Sequence, residues 1–363
     1  MRDIALLYSE AVDLLSALIS VPSFSREEDK TAALIVSFLE KRGVAVFRKG
    51  NNIWAFNKYY DKSKPTILLN SHHDTVRPNS AYTIEPFEPV REGGKLYGLG
   101  SNDAGASVVS LISVFLYYYE SEGLVYNLCL AITAEEEVSG KNGIESILPE
   151  LGALDFAIVG EPTQMNMAIA EKGLVVLDCT VHGIAGHAAR DEGDNAIYKA
   201  MKDIEWFRTY RFEKSSELLG EVKMNVTVIQ AGTQHNVIPA SCVFTVDVRV
   251  PDCYTNEEIV TIVKEHVACD VQPRSLRLKP SSIPKEHPIV QRGLYLGLQS
   301  FGSPTMSDQA LLPFPSLKVG PGDSARSHSA DEFIYLHEIK NGIWVYIQLL
   351  DGVLNEKSVK EEL

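Results

Sequence analysis

Four short apolar runs are each followed by acidic or imidazole side chains, and this pattern constrains the fold of the chain more than any other feature. The four segments read ILLN-SHHD, LCLAITA-EEE, FAIVG-EPT and, after a glycine-containing loop, LKVGPGDSAR-SH. Continuous apolar runs are typical of strands buried on both faces, as in a mainly parallel sheet covered by helices. Such sheets bind ligands outside the carboxyl ends of their strands, so we expect these polar residues to converge in space.

The order of predicted elements divides the chain into a catalytic domain and an inserted segment. Residues 1–170 alternate strands and helices, as in a sheet with helices on its faces, and residues 104–120 predict a buried helix. Over residues 171–280 the order becomes β-α-β-β-α, which is compatible with a small antiparallel sheet backed by two helices. Residues 281–363 return to the pattern of strands and helices seen in residues 1–170. We therefore predict an α/β catalytic domain with a mainly parallel central sheet, interrupted by an α+β lid.

The last helix is predicted from a local capping pattern. Ser329 and Glu332 stand three residues apart, as in a capping box, directly before an apolar periodic segment. This pattern predicts a final helix from Asp331 to about Asp351.

Charge and cysteine content exclude several classes of partner. The formal net charge is −14, which disfavours binding to nucleic acid or to an anionic membrane surface. Because no apolar stretch approaches the roughly 18 residues of a membrane span, we expect a cytoplasmic protein. The five cysteines show no CxxC spacing, so buried thiols are expected rather than disulfides or a thiolate metal site.

The clustered carboxylates themselves indicate a metal site. Without cations, several carboxylates in one place would be forced to take up protons by their mutual repulsion, and two cations are needed for so many. Imidazole and carboxylate ligands without thiolate suit catalytic zinc, cobalt or manganese, with a water molecule in an open position. Such water is deprotonated near neutral pH and becomes a nucleophile.

At these positions the sequence resembles the co-catalytic zinc aminoacylases and peptidases that include acetylornithine deacetylase, succinyl-diaminopimelate desuccinylase and glutamate carboxypeptidase, acetylornithine deacetylase most of all. The resemblance covers nearly the whole chain. It implies a zinc-peptidase-like catalytic domain and a ferredoxin-like lid. Its motifs are Ser71-His72-His73-Asp74, Gly98-Leu99-Gly100-Ser101-Asn102-Asp103, Glu135-Glu136-Glu137, Gly160-Glu161-Pro162-Thr163 and Ser327-His328-Ser329-Ala330-Asp331-Glu332.

The resemblance implies two zinc ions per subunit, or cobalt or manganese in their place. His72 and Glu161 would bind one ion. Glu137 and His328 would bind the other, and Asp103 would bridge the two. From the residues alone, capping of the helix that follows is an equally good interpretation of Asp103.

Further roles follow from the same resemblance. Asp74 would hold the imidazole of His72 in position, because a ligating histidine usually donates its second N–H to an oxygen. Glu136 would be the general base, taking a proton from the attacking water and delivering it to the leaving amine. His73 competes with His72 as the ligand, but the His-x-Asp spacing favours His72 and leaves His73 as an orienting or pocket residue.

The lid supplies a second set of candidates by resemblance. His187, in GIAGHA, would stabilise the tetrahedral oxyanion in the partner subunit's active site. Asn236 and Arg249 would bind the substrate, since a guanidinium can grip an α-carboxylate bidentately. The resemblance also implies a homodimer formed through the lid.

Two departures from the family pattern stand out. Glu135 replaces an aspartate, a change from which we expect little consequence. The segment Asn102-Asp103-Ala104-Gly105 lacks the lysine that usually follows the bridging aspartate, which alters the local charge.

The predicted reaction is hydrolysis of the amide bond of a small N-acyl-L-amino acid, preferably N-acetyl- or N-succinyl-L-ornithine in arginine biosynthesis. A desuccinylase of succinyl-diaminopimelate, an acyl-lysine deacylase or a dipeptidase is the alternative. A two-metal phosphoesterase is less favoured, because the sequence has no glycine loop that would cradle a phosphate. The intact base Glu136 argues against a binding protein without catalytic activity.

Overall fold

The computed structural model describes residues 3–190 and 192–355, which form two compact units. Unit 1 consists of residues 3–169, Ile283–Phe301 and residues 307–355. Unit 2 consists of Ala170–Ser282 and Gly302–Met306.

Helices and strands alternate along the described chain. The α-helices are α1 Ile4–Ile19, α2 Asp29–Glu40, α3 Ala106–Tyr118, α4 Ile144–Leu151, α5 Ala196–Thr209, α6 Asn256–His266, α7 Pro288–Tyr295 and α8 Leu336–Leu354. The strands are β1 Phe47–Lys49, β2 Asn52–Phe56, β3 Thr66–His72, β4 Val90–Glu92, β5 Lys95–Tyr97, β6 Asn127–Thr133, β7 Phe156–Val159, β8 Met167–Glu171, β9 Gly173–His182, β10 Gly186–His187, β11 Lys223–Ala231, β12 Val237–Ile238, β13 Ser241–Val250, β14 Asp270–Pro273, β15 Ser281–Ser282, β16 Ser300–Ser303, β17 Ser316–Lys318 and β18 Phe333–Tyr335. Short helical turns cover Ser101–Gly105, Glu136–Val138, Asp308–Leu311 and Ser324–Arg326.

The main sheet of unit 1 has parallel strands at its centre. Its order is β1-β2-β6-β3-β7-β17-β8, and the neighbours β6/β3, β3/β7 and β7/β17 are parallel. The remaining neighbours in this order run antiparallel. The prediction of a mainly parallel central sheet is therefore confirmed, with antiparallel strands confined to its two sides.

Both faces of this sheet are buried, which explains the continuous apolar runs. Successive side chains of a strand point to opposite faces. On β3, Ile67 and Leu69 pack with the helices α1, α3 and α8, whereas Leu68 packs with α4 on the other face. Among the described residues, every helix is too short or too polar to cross a membrane.

The last helix begins later than the capping pattern predicts. Helix α8 starts at Leu336, and Glu338 in its first turn accepts a hydrogen bond from the N–H of the N-cap residue Tyr335 at 3.0 Å. The predicted partner Glu332 instead accepts hydrogen bonds from the backbone of the distant segment 100–103. The prediction of a helix beginning at Asp331 was wrong, because this long-range bonding takes Glu332 away from the helix start.

Unit 2 is built around a four-stranded antiparallel sheet of order β11-β13-β9-β14. Alternate residues of β9 are buried, and they pack with apolar side chains of β13, α5 and α6. The chain order β9-α5-β11-β13-α6-β14 is the β-α-β-β-α-β order of ferredoxin-like folds. A short ladder of β10 with β12 is attached to this unit.

Candidate metal centre

The carboxyl ends of the parallel strands bring the predicted ligands of unit 1 together. His72 is the last residue of β3, and Glu161 lies two residues beyond the end of β7. Glu136 and Glu137 occupy the helical turn that follows β6. Because neighbouring parallel strands end at the same edge of the sheet, these side chains meet although they are far apart in sequence.

One cluster of possible metal ligands consists of His72, Asp103 and Glu161. The Nε2 atom of His72 lies 3.3 Å from Oδ1 of Asp103 and 3.6 Å from Oε1 of Glu161. One ligand atom from each of the three residues lies within 4.8 Å of the other two. His72 is almost completely buried, so its ring is fixed by packing.

A second cluster consists of Asp103, Glu137 and His328. The Nε2 atom of His328 lies 3.0 Å from Oε2 of Glu137 and 3.7 Å from Oδ2 of Asp103. These three residues also place their ligand atoms within 4.8 Å of one another. Asp103 is common to both clusters, and it uses a different oxygen towards each histidine.

Asp103 does not act as a helix cap. Helix α3 begins only at Ala106, and its N-cap residue is Gly105 rather than Asp103. The Asp103–Ala104 peptide is cis, and Asp103 has an extended backbone inside the turn Ser101–Gly105. Its carboxylate faces the histidines of the two clusters.

The electrostatics of the site fit divalent cations. Burial raises the pKa of Glu161 to about 8; the nearby His72 opposes this rise, and the charge of Asp103 adds to it. Burial likewise raises the pKa of Glu136 well above its usual range. The hydrogen bond to Glu137 raises the pKa of His328 to about 9. Without metal the cluster retains protons, and cations bound to the nitrogen and oxygen donors would replace them.

Asp74 holds the site together in two ways. The ring Nδ1 of His72 lies 3.0 Å from the carbonyl oxygen of Asp74 and 3.4 Å from its Oδ1 atom, so the direct hydrogen bond is to the backbone. The carboxylate accepts hydrogen bonds from the backbone N–H groups of Glu136 and Glu137, at 3.1 and 3.2 Å, and from the hydroxyl of Ser25. It thus fixes the turn that carries the proposed base and a proposed ligand.

His73 lies outside both clusters. Its Nδ1 atom is hydrogen-bonded to the hydroxyl of Thr31 and its Nε2 atom to the carbonyl oxygen of Asn51, both at 2.9 Å. Burial lowers its pKa to about 4, so the ring is neutral at pH 7. With both ring nitrogens engaged elsewhere, His73 positions the chain next to His72.

Three buried carboxylates were given no role in the site by the sequence analysis. Glu332 accepts backbone hydrogen bonds from segment 100–103, and Glu28 accepts them from Arg26 and Glu135. Asp308 accepts a hydrogen bond from the hydroxyl of Thr133 at 2.7 Å, and its charge contributes to the raised pKa of Glu136. None of the three follows an apolar run directly, so the strand-end pattern gives no signal for them.

Residues in the two segments that depart from the family pattern form local hydrogen bonds. The carboxylate of Glu135 accepts a 2.9 Å hydrogen bond from the side chain of Asn142. Asn102 is fully buried, and its side chain bonds the backbone N–H and carbonyl of Asp323, both at 3.0 Å. Asn102 thereby connects the turn that carries Asp103 to the segment that leads to His328.

Replacing Glu332 by Gln is expected to weaken metal binding by about 10–100-fold, the usual effect of losing a partner that orients a ligand. One oxygen of Glu332 accepts from Asn102 and Asp103, at 2.8 and 2.9 Å, and the other accepts from Gly100 at 3.1 Å. An amide would turn an NH2 group towards at least one of these N–H groups. Competition with a zinc-binding dye would measure the affinity, with Glu286→Gln as an exposed control. Unchanged affinity in Glu332→Gln would contradict the expectation.

The three lid candidates all lie in unit 2. His187 is exposed on β10, where its Nδ1 atom accepts a hydrogen bond from the N–H of Ala189 at 3.1 Å. Asn236 is exposed beside it, and its carbonyl accepts from the N–H of Ala188 at 3.0 Å. The ladder of β10 and β12 therefore brings the backbones of His187 and Asn236 close together.

Arg249 stands on β13, in the four-stranded sheet. Its Nε and Nη2 atoms donate to the two carboxylate oxygens of Asp247, at 2.8 and 3.0 Å. This bidentate contact uses the same donors that would bind a substrate carboxylate if Asp247 were absent. A substrate would have to use the remaining donors of Arg249 or displace Asp247.

Comparisons with known proteins agree with this architecture. Residues 169–271 match the family model described as a peptidase dimerisation domain. A tripeptidase from Staphylococcus aureus shares the fold over 95% of this chain and 98% of its own, with 19% identity and a TM-score of 0.76. An M20 family metallo-carboxypeptidase from Sulfolobus solfataricus matches over 94% and 98% of the two chains, with 16% identity and a TM-score of 0.73.

A third solved structure is described as a dinuclear metal-binding peptidase of the M20 family, from Bacillus subtilis. It matches over 96% of this chain and 99% of its own, with 15% identity and a TM-score of 0.72. At these identities the similarity establishes a shared fold. The residues that match the dimerisation domain form most of unit 2.

Proposed function

We propose that this protein is a two-metal amide hydrolase of the M20 peptidase type. The observation that carries the proposal is the pair of ligand clusters that share Asp103, with a further carboxylate beside them. That carboxylate belongs to Glu136, whose Oε2 atom lies 3.9 Å from Nε2 of His72. Glu136 belongs to neither cluster, so it is free to exchange protons.

The proposed roles of the residues follow from this arrangement. His72, Glu161, Glu137 and His328 would hold two divalent cations, with Asp103 as the bridge, and zinc is the proposed metal. When bound, such cations polarise a carbonyl group and make water acidic enough to react near pH 7. Glu136 would accept the proton of the attacking water and pass it to the leaving amine. A group in this role must act first as a base and then as an acid.

The proposed substrate is a small N-acyl-L-amino acid, with N-acetyl- or N-succinyl-L-ornithine preferred. The resemblance of the strand-end motifs to the deacylases supports this choice. In the proposal, Asn236 and Arg249 bind the substrate, and His187 of one subunit stabilises the oxyanion in the active site of its partner. A homodimer formed through unit 2 is part of the proposal, as is a cytoplasmic location.

A peptide substrate is the second candidate. It is favoured by the names of proteins with the same fold, which include a tripeptidase and a metallo-carboxypeptidase. Peptides and acylated amino acids contain the same amide bond, so the proposed centre could serve both. The substrate then depends on residues that contact the two ends of the amide.

A substrate panel is expected to separate these candidates. With zinc supplied, we expect release of free amine from N-acetyl- or N-succinyl-ornithine to exceed release from acyl-lysines, succinyl-diaminopimelate, dipeptides and tripeptides. Amine release would be measured with and without a chelator, which should abolish it because the cations are required. Turnover of peptides alone would replace the deacylase proposal by the peptidase, and chelator-resistant turnover would count against a metal centre.

A particle mass of about twice the 40.1 kDa of one subunit is expected in solution, from the dimerisation-domain match. Light scattering coupled to size exclusion would measure it. A monomer at every protein concentration tested would contradict both the dimer and the proposed role of His187 in a partner's site.

A further inference from the structure

Unit 2 contains a pocket of about 490 Å³ that is rich in cationic side chains. Ligand sites for small molecules commonly have volumes of about 300–1,000 Å³, so the pocket can hold a small ligand. Its charged and hydroxyl-bearing lining residues are Lys172, Arg208, Tyr210, Arg211, Glu221 and Lys223. Four cations against one carboxylate are unexpected in a chain whose net charge is −14.

Lys172 is a buried ammonium without a carboxylate in contact. Its residue is only 5% exposed, and its Nζ atom donates to the backbone carbonyl of Glu221 at 2.5 Å. Within residues 3–190 and 192–355, no carboxylate forms an ion pair with it. Burial lowers the pKa of Lys172, and the charge of Lys223 lowers it further, although the charge of Glu221 offsets part of this. Buried charges in proteins are normally paired with an opposite charge, and the ammonium group of Lys172 lacks such a pair among the described residues.

Among the residues that the structure describes, two further cations of the pocket also lack carboxylate partners. Lys223 is exposed at the start of β11, and its side chain has no hydrogen-bond or ion-pair partner in the described part of the chain. Arg211 donates through Nη1 to backbone carbonyls only, with the shortest contact at 3.0 Å to Tyr210. Arg208 differs from these two, because it forms a 2.6 Å ion pair with Glu205.

We propose that this pocket binds a small anion with at least two charged oxygens, either a phosphate group or a dicarboxylate. The ammonium groups of Lys172 and Lys223 and the guanidinium of Arg211 would supply the compensating charge and hydrogen bonds. All lining residues belong to unit 2, so the proposal stands independently of the metal centre and of the reaction assigned to it.

Isothermal titration of the full chain with sulfate, inorganic phosphate and malonate would test the site. Ionic strength is held constant with sodium chloride, because exposed charges are screened by salt. We expect saturable binding of at least one anion. Lys223→Gln and Arg211→Gln should each weaken it by roughly tenfold, since a charge-assisted hydrogen bond contributes about that much. Lys264→Gln, an exposed change on α6 outside the pocket, is the matched control and should bind like the wild type.

The comparison of anions identifies the ligand class. Tighter binding of phosphate and sulfate supports a phosphate-bearing ligand, and tighter binding of malonate supports a dicarboxylate. Absence of saturable binding for all three anions would overturn the proposal. Binding that is the same in Lys223→Gln and Arg211→Gln as in the wild type would also overturn it, because the anion would then occupy another site, such as the metal centre.

Discussion

Replacing Glu136 by Gln is expected to lower the rate of amide hydrolysis by roughly 10²–10⁴-fold, the usual contribution of a positioned general base. The amide keeps the size of the side chain but cannot accept the proton of water. Glu136 stands outside both ligand clusters, so the metal content of the variant should remain that of the wild type. A lower rate at an unchanged metal content would distinguish a general base from a metal ligand.

The measurement combines turnover of the best substrate from the panel with elemental analysis of the same preparation. Glu150→Gln is a matched control, because Glu150 lies on α4 and is half exposed in an ion pair with Lys49. The control should keep the wild-type rate and metal content. Unchanged turnover in Glu136→Gln would show that another group is the base, and Asp308 would be the next residue to test.

Replacing Asp103 by Ala is expected to remove both metals, whereas replacing His328 by Ala should remove one. Asp103 is the only residue common to the two clusters, and His328 belongs to one of them. Loss of the shared carboxylate also leaves the remaining ligands without the anion that lies between the two histidines. We therefore expect hydrolysis by Asp103→Ala to fall below that of Glu136→Gln.

Elemental analysis after dialysis at fixed free zinc would give the two stoichiometries. The expected values are about two equivalents for the wild type, about one for His328→Ala and less than one for Asp103→Ala. Circular dichroism would check that each variant is folded. Two full equivalents in Asp103→Ala would be incompatible with a bridging role, and equal losses in both variants would mean that the two positions fill only together.

The strand-end pattern predicted the central part of the fold because it depends on burial. The runs beginning at Thr66, Leu128 and Phe156 lie within β3, β6 and β7, whose residues are all buried. A strand covered on both faces has to be apolar throughout, and the polar residue that ends it marks the edge of the sheet. This local signal places His72, the glutamates after β6 and Glu161 at the same edge.

Local patterns failed where a long-range contact competed with them. Glu332 matches a capping box with Ser329, yet its carboxylate binds three backbone N–H groups some 230 residues earlier in the chain. The helix therefore begins at Leu336, where Glu338 accepts a hydrogen bond from the N–H of Tyr335. Glu28 lies in a charged segment for which the strand-end pattern makes no prediction. It is fully buried and accepts hydrogen bonds from the backbone N–H groups of Arg26 and Glu135.

The sequence by itself determined the alternation of apolar strands and polar strand ends, and with it the sheet and most of the residues proposed to bind metal. The role of Asp103 came from the resemblance of the motifs alone. Only the tertiary structure decided how these residues are held. It placed the carboxylate of Asp74 on the backbone of Glu136 and Glu137, and that of Glu332 on the segment that carries Asp103. The pattern of apolar residues can be read from the sequence directly, because each strand is buried along its own length. A buried carboxylate is hydrogen-bonded by N–H groups from distant segments, which come close to it only when the chain folds.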